Sequence, residues 1–316
     1  MRAMVTGVAG FIGSHLAERL VSDGWEVLGV DSFTETYDRA LKERNIEGLR
    51  GKKGFEMVRG DLLGLELAEL LGSVRVVFHL AAEAGVRSSW GSDFSKYVNR
   101  NVLATQRLLE ACRDRPLEKF IYASSSSIYG EMQELKPLDE LDCPMPHSPY
   151  GVTKLAAEHL CRTYWRNFGV PVVSLRYFTV YGPRQRPDMA FHRFLRSIYE
   201  GSEVVIFGDG DQSRDFTFVS DVVDATLLAA TRGVNGGVYN IGGGSRATLT
   251  EVLRIMEEVT SYRPTVSRGP RGHGEVMHTW ANTEKANAEL GFRSKVSLSE
   301  GIARQWEWIR GLMKGK

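Results

Sequence analysis

The chain has 316 residues, enough for a large core and more than one small domain needs, so an α/β body with a smaller lobe is expected. Its 40 basic and 39 acidic side chains nearly cancel, which leaves no electrostatic footprint for nucleic acid or an anionic membrane surface and requires local arginines to hold any anionic ligand. Three cysteines without metal-ligand spacing, no apolar run of membrane-spanning length and an N-terminus that enters a strand directly argue against disulfides, zinc and membrane insertion, and for a reducing cytoplasmic setting.

Residues 2–5 read as a short buried strand, and Ile12, His15, Leu16, Arg19 and Leu20 then recur at helical spacing. Gly7, Gly10 and Gly13 therefore occupy a strand-to-helix turn. A backbone bare of side chains can there aim its N–H groups at a pyrophosphate lying on the positive end of the helix. The spacing alone is equally compatible with a plain tight turn. The next apolar run, 25–30, ends in Asp31, about twenty residues beyond the turn, where a carboxylate grips adenosine ribose hydroxyls and repels a 2′-phosphate. NAD rather than NADP is the expected cofactor.

Further apolar runs at 55–58, 74–80, 120–123 and 172–175 alternate with helical patterns around 62–71, 97–113 and 150–168. This alternation predicts a doubly wound parallel sheet of the Rossmann type over residues 1–180. Beyond it, short loops rich in Gly, Pro and Arg separate helical stretches at 191–199, 249–258 and 298–310, which predicts a smaller C-terminal substrate-binding lobe over residues 181–316, with an approximate boundary and room for some of its segments to return to the Rossmann domain.

The chemistry is concentrated in SSSSIYG at 124–130 and PYGVTK at 149–154. Tyr150 and Lys154 stand four apart at the start of a helix, on one face, where an ammonium lowers the pKa of a phenol. The serines end a strand, on the rim where open α/β sheets bind ligands.

With these residues the sequence resembles the extended branch of the short-chain dehydrogenase/reductases, the nucleotide-sugar epimerases, dehydratases and decarboxylases. The likeness runs through TGVAGFIG at 6–13, GDL at 60–62, HLAA at 79–82, SSSSIYG, the Tyr150–Lys154 pair, LRYFTVYGP at 175–183 and RDFTFVSD at 214–221. The resemblance implies that Phe11 and Ile12 in the glycine turn, Ser32 and Lys42 after Asp31, and Leu80, Ala81, Ala82 and Asn101 line the cofactor. It places Asp61 and Leu62 at the adenine and Tyr177 near the nicotinamide. Ser125 matches the catalytic Ser/Thr, Tyr150 the base, and Lys154 a residue that also binds the nicotinamide ribose. By the same resemblance Arg214 binds the UDP phosphates, Val205 and Phe207 the uracil, and Glu275 the uridine ribose, while Arg271 stands one position off the usual phosphate-binding arginine.

Dehydratases of this branch carry Asp-Glu after the catalytic Ser/Thr, and decarboxylases commonly place Glu before Val-Tyr-Gly; here Ser126 and Ser127 occupy those positions. Epimerisation at C4 through a transient 4-keto sugar is the reaction this leaves. The stretches 31–42, 79–89 and 179–190 look more like UDP-glucuronate 4-epimerases than UDP-glucose 4-epimerases, which usually have Asn where Thr179 stands. Ser126, Ser127 and Thr179 are then suited to a sugar carboxylate, with Arg87 and Arg186 as cationic partners. A UDP-glucose or UDP-N-acetylhexosamine 4-epimerase is the near alternative. A decarboxylase is disfavoured by Ser127, and a nucleotide sensor without chemistry by the presence of both Tyr150 and Lys154. A homodimer through the helices around 103–111 and 155–160 is implied by resemblance.

Overall fold

Each apolar run of the first half forms a strand. In a computed structural model that describes residues 1–132, 134–244 and 246–314, these are β1 (Arg2–Thr6), β2 (Glu26–Asp31), β3 (Phe55–Arg59), β4 (Val76–His79), β5 (Lys119–Ser125) and β6 (Val172–Tyr177). All pair in parallel, and a seventh strand, β7 (Val238–Ile241), completes the sheet in the order β7-β6-β5-β4-β1-β2-β3. Their runs are apolar throughout because helices cover both faces of the sheet. Neighbouring residues alternate between two cores: Val5, Phe78 and Ile121 face one way with Leu16, whereas Met4, Val77 and Phe120 face the other with Leu108.

The first face is covered by α1 (Phe11–Ser22) and α6 (Val219–Arg232), the second by α3 (Ala104–Cys112) and α4 (Pro149–Phe168). Between them, α2 (Arg39–Asn45) follows β2. The start of α4 is set locally: the Ser148 hydroxyl accepts from Gly151 N at 3.1 Å and Pro149 occupies the first turn. Gly169, at φ 70°, ends it in the left-handed conformation.

Two expectations change, at the helices predicted over 97–113 and 62–71. The pattern at 97–113 is not one helix: Val98–Leu103 widens into a π turn before α3. The pattern at 62–71 yields only Leu67–Leu71 as helix, since Asp61 ties Leu63 N into a turn at 2.9 Å. The boundary at 180 is crossed twice, because α6 and β7 come from beyond it and pack into the main sheet body. What remains of the second half is a lobe of short pairs, Val204–Phe207 with Val266–Gly269 and Ser213–Asp215 with Arg246–Thr248. It also carries α5 (Ala190–Glu200), α7 (Leu249–Thr260) and α8 (Leu298–Lys314), with α5 and α7 packed on α8.

Candidate active site

A cavity of about 510 Å³ opens at the carboxyl ends of the strands, where the strand order reverses between β1 and β4. Its cofactor half is built by the glycine turn. Gly7 sits at φ +71°, and a Cβ there would lie 2.9 Å from the backbone of Ala81; one on Gly13 would lie 2.2 Å from the Gly7 carbonyl. The glycines thus let the turn close on itself and against the segment after β4. Gly10 caps α1 with no side-chain bond, so the first N–H groups of the helix are left to the cavity. Asp31 accepts from Ala9 N at 3.0 Å and from Phe33 N at 2.7 Å, which fixes its carboxylate on the rim. Phe11, Ile12, Ser32, Lys42, Asp61, Leu62, Leu80, Ala81, Ala82 and Tyr177 line the same space. The Tyr177 hydroxyl is turned back to Thr226 at 2.7 Å.

These residues fit a dinucleotide. They supply a side-chain-free cradle, uncapped helix N–H groups, a fixed carboxylate one strand away, and a buried Tyr37 hydroxyl on the cavity wall with no partner among the described residues.

On the other side of the switch point, β5 ends in the serines and α4 brings Tyr150 and Lys154 to the same cavity. Ser125 accepts from Ser127 N at 3.1 Å, which curls the chain into a short turn over the strand end. The phenol behaves differently from the expectation. Burial raises the Tyr150 pKa, and the Ser125 hydrogen bond and the Arg186 charge only partly offset it. Lys154 does not supply the lowering: its Nζ donates to the Ala123 carbonyl and lies 4.6 Å over the Tyr122 ring. Burial pulls the Lys154 pKa down to about 8, which leaves it cationic at neutral pH.

Ser126, Ser127, Thr179, Arg186, Arg214 and Glu275 also line the cavity. Arg186 pairs with Asp188 at 2.6 Å. Among the described residues the Arg214 guanidinium bonds only to the carbonyls of Ser213, Val276 and Met277, at 2.8–3.0 Å, and burial lowers its pKa. A half-buried cation hydrogen-bonded by carbonyls, with Glu275 and Glu131 near it but in no ion pair with it among the described residues, is suited to an anionic ligand.

Other expected residues stand back from the wall. Asn101 is buried behind it, held in the π turn and spent on the backbone of Glu83 and the Thr153 hydroxyl. Arg87 grips Glu275 at 2.5 Å and covers the Phe207 ring at 3.8 Å, so Phe207 and its strand neighbour Val205 lie outside the cavity. Arg271 donates to the Glu275 carbonyl at 2.8 Å and lies 3.7 Å from Glu131. Thr34, Thr36, Tyr37, Arg100, His147 and Met189 line the cavity without having been singled out. Three of them belong to the loop after β2, which has no periodicity to mark it; its only signal is TETY within the stretch 31–42. Among the described residues no three His, Cys, Asp or Glu side chains gather as a metal site, and no helix is long and apolar enough to cross a membrane.

The sheet and its cavity define a dinucleotide-binding Rossmann protein with serine, tyrosine and lysine on one rim. The chain belongs to the NAD dependent epimerase/dehydratase family, whose profile it matches over residues 3–242. It is 44% identical, over the whole of both chains, to a Bacillus subtilis (strain 168) protein named as an uncharacterized UDP-glucose epimerase, YtcB. It is 36% identical to a UDP-glucuronate 4-epimerase of Thermodesulfobacterium geofontis, across 97% of this chain and 95% of the relative. The solved structure of UDP-glucuronic acid 4-epimerase from Bacillus cereus, in complex with UDP-glucuronic acid and NAD, superposes with a TM-score of 0.96 at 44% identity, covering 99% of this chain and 100% of the other.

Proposed function

We propose that the protein interconverts UDP-glucuronate and UDP-galacturonate by NAD-dependent epimerisation at C4. The observation that carries this reading is the composition of one cavity: Ser126, Ser127, Thr179 and Arg186 line it together with Ser125, Tyr150 and Lys154, and residues 125–128 include no carboxylate to drive an elimination. Bound NAD supplies the hydride acceptor at C4, the hydride that later returns, and a positive charge in its oxidised form. The protein supplies everything else. Tyr150 takes the C4 hydroxyl proton and gives it back, Ser125 orients that exchange, and the Ser125 hydrogen bond and the Arg186 charge oppose the pKa rise that burial imposes on the phenol. Arg214 receives the diphosphate, with Arg271 beside it. Glu275 receives the uridine ribose, and Val205 and Phe207 face the uracil once Arg87 moves from the ring. Ser126, Ser127, Thr179 and Arg186 hold the sugar carboxylate by charge-assisted hydrogen bonds.

The relatedness to a protein named as a UDP-glucose epimerase favours a second reading, in which the sugar has no carboxylate. Incubation with UDP-glucuronate and UDP-glucose in separate tubes, with products identified by NMR, decides between them. Formation of UDP-galacturonate is expected; conversion of UDP-glucose alone replaces the first reading with the second.

The proposal includes a homodimer in the cytoplasm. Leu103 and Val152, at the edges of α3 and α4, are exposed apolar side chains suited to bury against a second copy. Light scattering should give about twice the 35.3 kDa of one chain, and a monomer mass removes the pairing.

A further inference from the structure

In the sheet, β1 stands between β2 and β4. Any bond from the segment after β2 to the segment after β4 must therefore span the end of β1, where the glycine turn lies. One such bond is made by side chains. Thr36 Oγ1 donates toward the Glu83 carboxylate, 3.0 and 3.2 Å from its two oxygens. On the near side the link continues toward α2: the Thr34 and Thr36 hydroxyls are 3.2 Å apart, and Lys42 Nζ donates to Thr34 Oγ1 at 3.0 Å. On the far side Glu83 is fixed in three ways. Its N–H donates to Asn101 Oδ1 at 2.7 Å, its carbonyl accepts from Asn101 Nδ2 at 3.0 Å, and its carboxylate accepts from Arg100. Asn101 also donates to Thr153 at 3.0 Å, one residue before Lys154.

We propose that Thr36 and Glu83 close a strap over the dinucleotide, and that this bond sets how long NAD remains in the protein. Thr34, Thr36, Tyr37, Lys42 and Arg100 line the same cavity as Gly7, Gly13 and Asp31, so the strap forms the outer wall of the space the cofactor fits. Its two ends differ in the way a latch requires. Glu83 is buried and immobilised by Asn101 and Arg100, whereas Thr36 is exposed, on a loop that leaves β2 through Phe33 in the left-handed region at φ 50°. The single hydroxyl–carboxylate bond is thus the point at which the strap opens. An enzyme that oxidises its substrate and must reduce the same molecule gains from slow cofactor release, because a vacated site would strand the ketone.

Glu83 and Thr36 are positioning residues for the cofactor, and the inference rests on NAD as cofactor and not on which sugar is turned over. The test is exchange of bound NAD: the NAD-loaded protein is mixed with excess deuterated NAD, and the retained label is followed by mass spectrometry with no UDP-sugar present. Thr36→Val removes the hydroxyl at an exposed site with little change of shape, and Glu83→Ala removes the acceptor. Each is expected to speed release about tenfold to a hundredfold, the size of one lost hydrogen bond to a charged group. Glu83→Gln keeps an acceptor oxygen but not the charge that Arg100 holds, and its release should fall between the parent and Glu83→Ala. The double variant should release no faster than the faster single one, since both remove the same bond. Unchanged release in Thr36→Val, an additive double variant, or a parent that exchanges as fast as its variants would each overturn the strap. If Glu83→Ala does not fold, Thr36→Val decides alone. Failure of epimerisation on any UDP-sugar leaves this measurement untouched.

Discussion

Tyr150 and Lys154 line the same cavity, and desolvation there pushes both away from their charged forms. Replacing Tyr150 with Phe removes the proton-transfer group and almost no contact area. Turnover is expected to fall about a hundredfold to ten-thousandfold. UDP-sugar affinity by calorimetry should change little, and wild-type-like turnover would remove Tyr150 from the mechanism. At Thr179 the expectation concerns products. A 4-keto glucuronate is a β-keto acid, and it loses carbon dioxide when the breaking bond aligns with the carbonyl π system. A clamp that keeps this alignment poor protects the intermediate. Thr179→Ala should therefore form more UDP-pentose per UDP-galacturonate than the parent, followed by mass spectrometry over time; equal ratios would show that Thr179 is no clamp. Residues of this kind are legible in a sequence because few side chains can do their work: only glycine fits the turn at Gly7 and Gly13, and a carboxylate at Asp31 accepts two N–H groups on the rim of the cavity. Asn101 and Arg87 are less legible. They act through Glu83 and Glu275, and no spacing along the chain announces such second-hand contacts.

At the scale of elements, the strand-to-helix turn has no slack. A methyl group on Gly13 would meet the Gly7 carbonyl at 2.2 Å and the Val8 Cα at 3.1 Å, both backbone atoms of the turn itself. Gly13→Ala should therefore cost most of the NAD affinity while leaving the sheet folded. Titration of the apo-protein with NAD by tryptophan fluorescence, beside far-UV circular dichroism, separates the two effects; unaltered affinity would mean that the turn can shift. The parallel strands were legible because each is a continuous apolar run. The π turn at Val98–Leu103 was not, since it keeps helical periodicity on both sides and adds one residue to a single turn, which re-aims Asn101 and Arg100 without altering the pattern that marks a helix. Helix α6 was missed for another reason. Val219–Arg232 follows loops rich in Gly and Arg, and nothing local says that it returns to the sheet.

One part of the molecule's pH dependence belongs to helix α1. His15, on α1, donates from Nε2 to the Pro183 carbonyl at 2.9 Å, and burial lowers its pKa from 6.5 to about 4. The unfolded chain therefore binds this proton at a higher pH than the folded one. Stability is lost as pH falls from about 6.5 towards 4 and changes no further through this group below that. His15→Gln keeps a donor for the carbonyl and removes the titration. Thermal unfolding should show the variant losing fewer degrees than the parent between pH 6.5 and 4.5, and parallel curves would exonerate His15. The Asp215 carboxyl, pushed up to about 6 by burial, has the opposite sign and remains in both proteins, so it cancels in the comparison.

The late origin of β7 has a consequence for the nascent chain. Strand β6 pairs with β5 on one side and β7 on the other, and β7 begins at Val238. While the intervening residues are synthesised, at about 5–20 residues per second, the emerging sheet ends in β6 with a bare row of N–H and C=O groups. For several seconds per molecule this edge is open to pairing with another polypeptide, which makes the interval a natural point of chaperone engagement and of inclusion-body formation when expression is fast. A chain cut after residue 180 would hold that state permanently. It should collect in the insoluble fraction, whereas a chain cut after 244 retains the seventh strand and should be recovered more soluble by sedimentation; equal solubility would mean that β6 is protected by something other than β7.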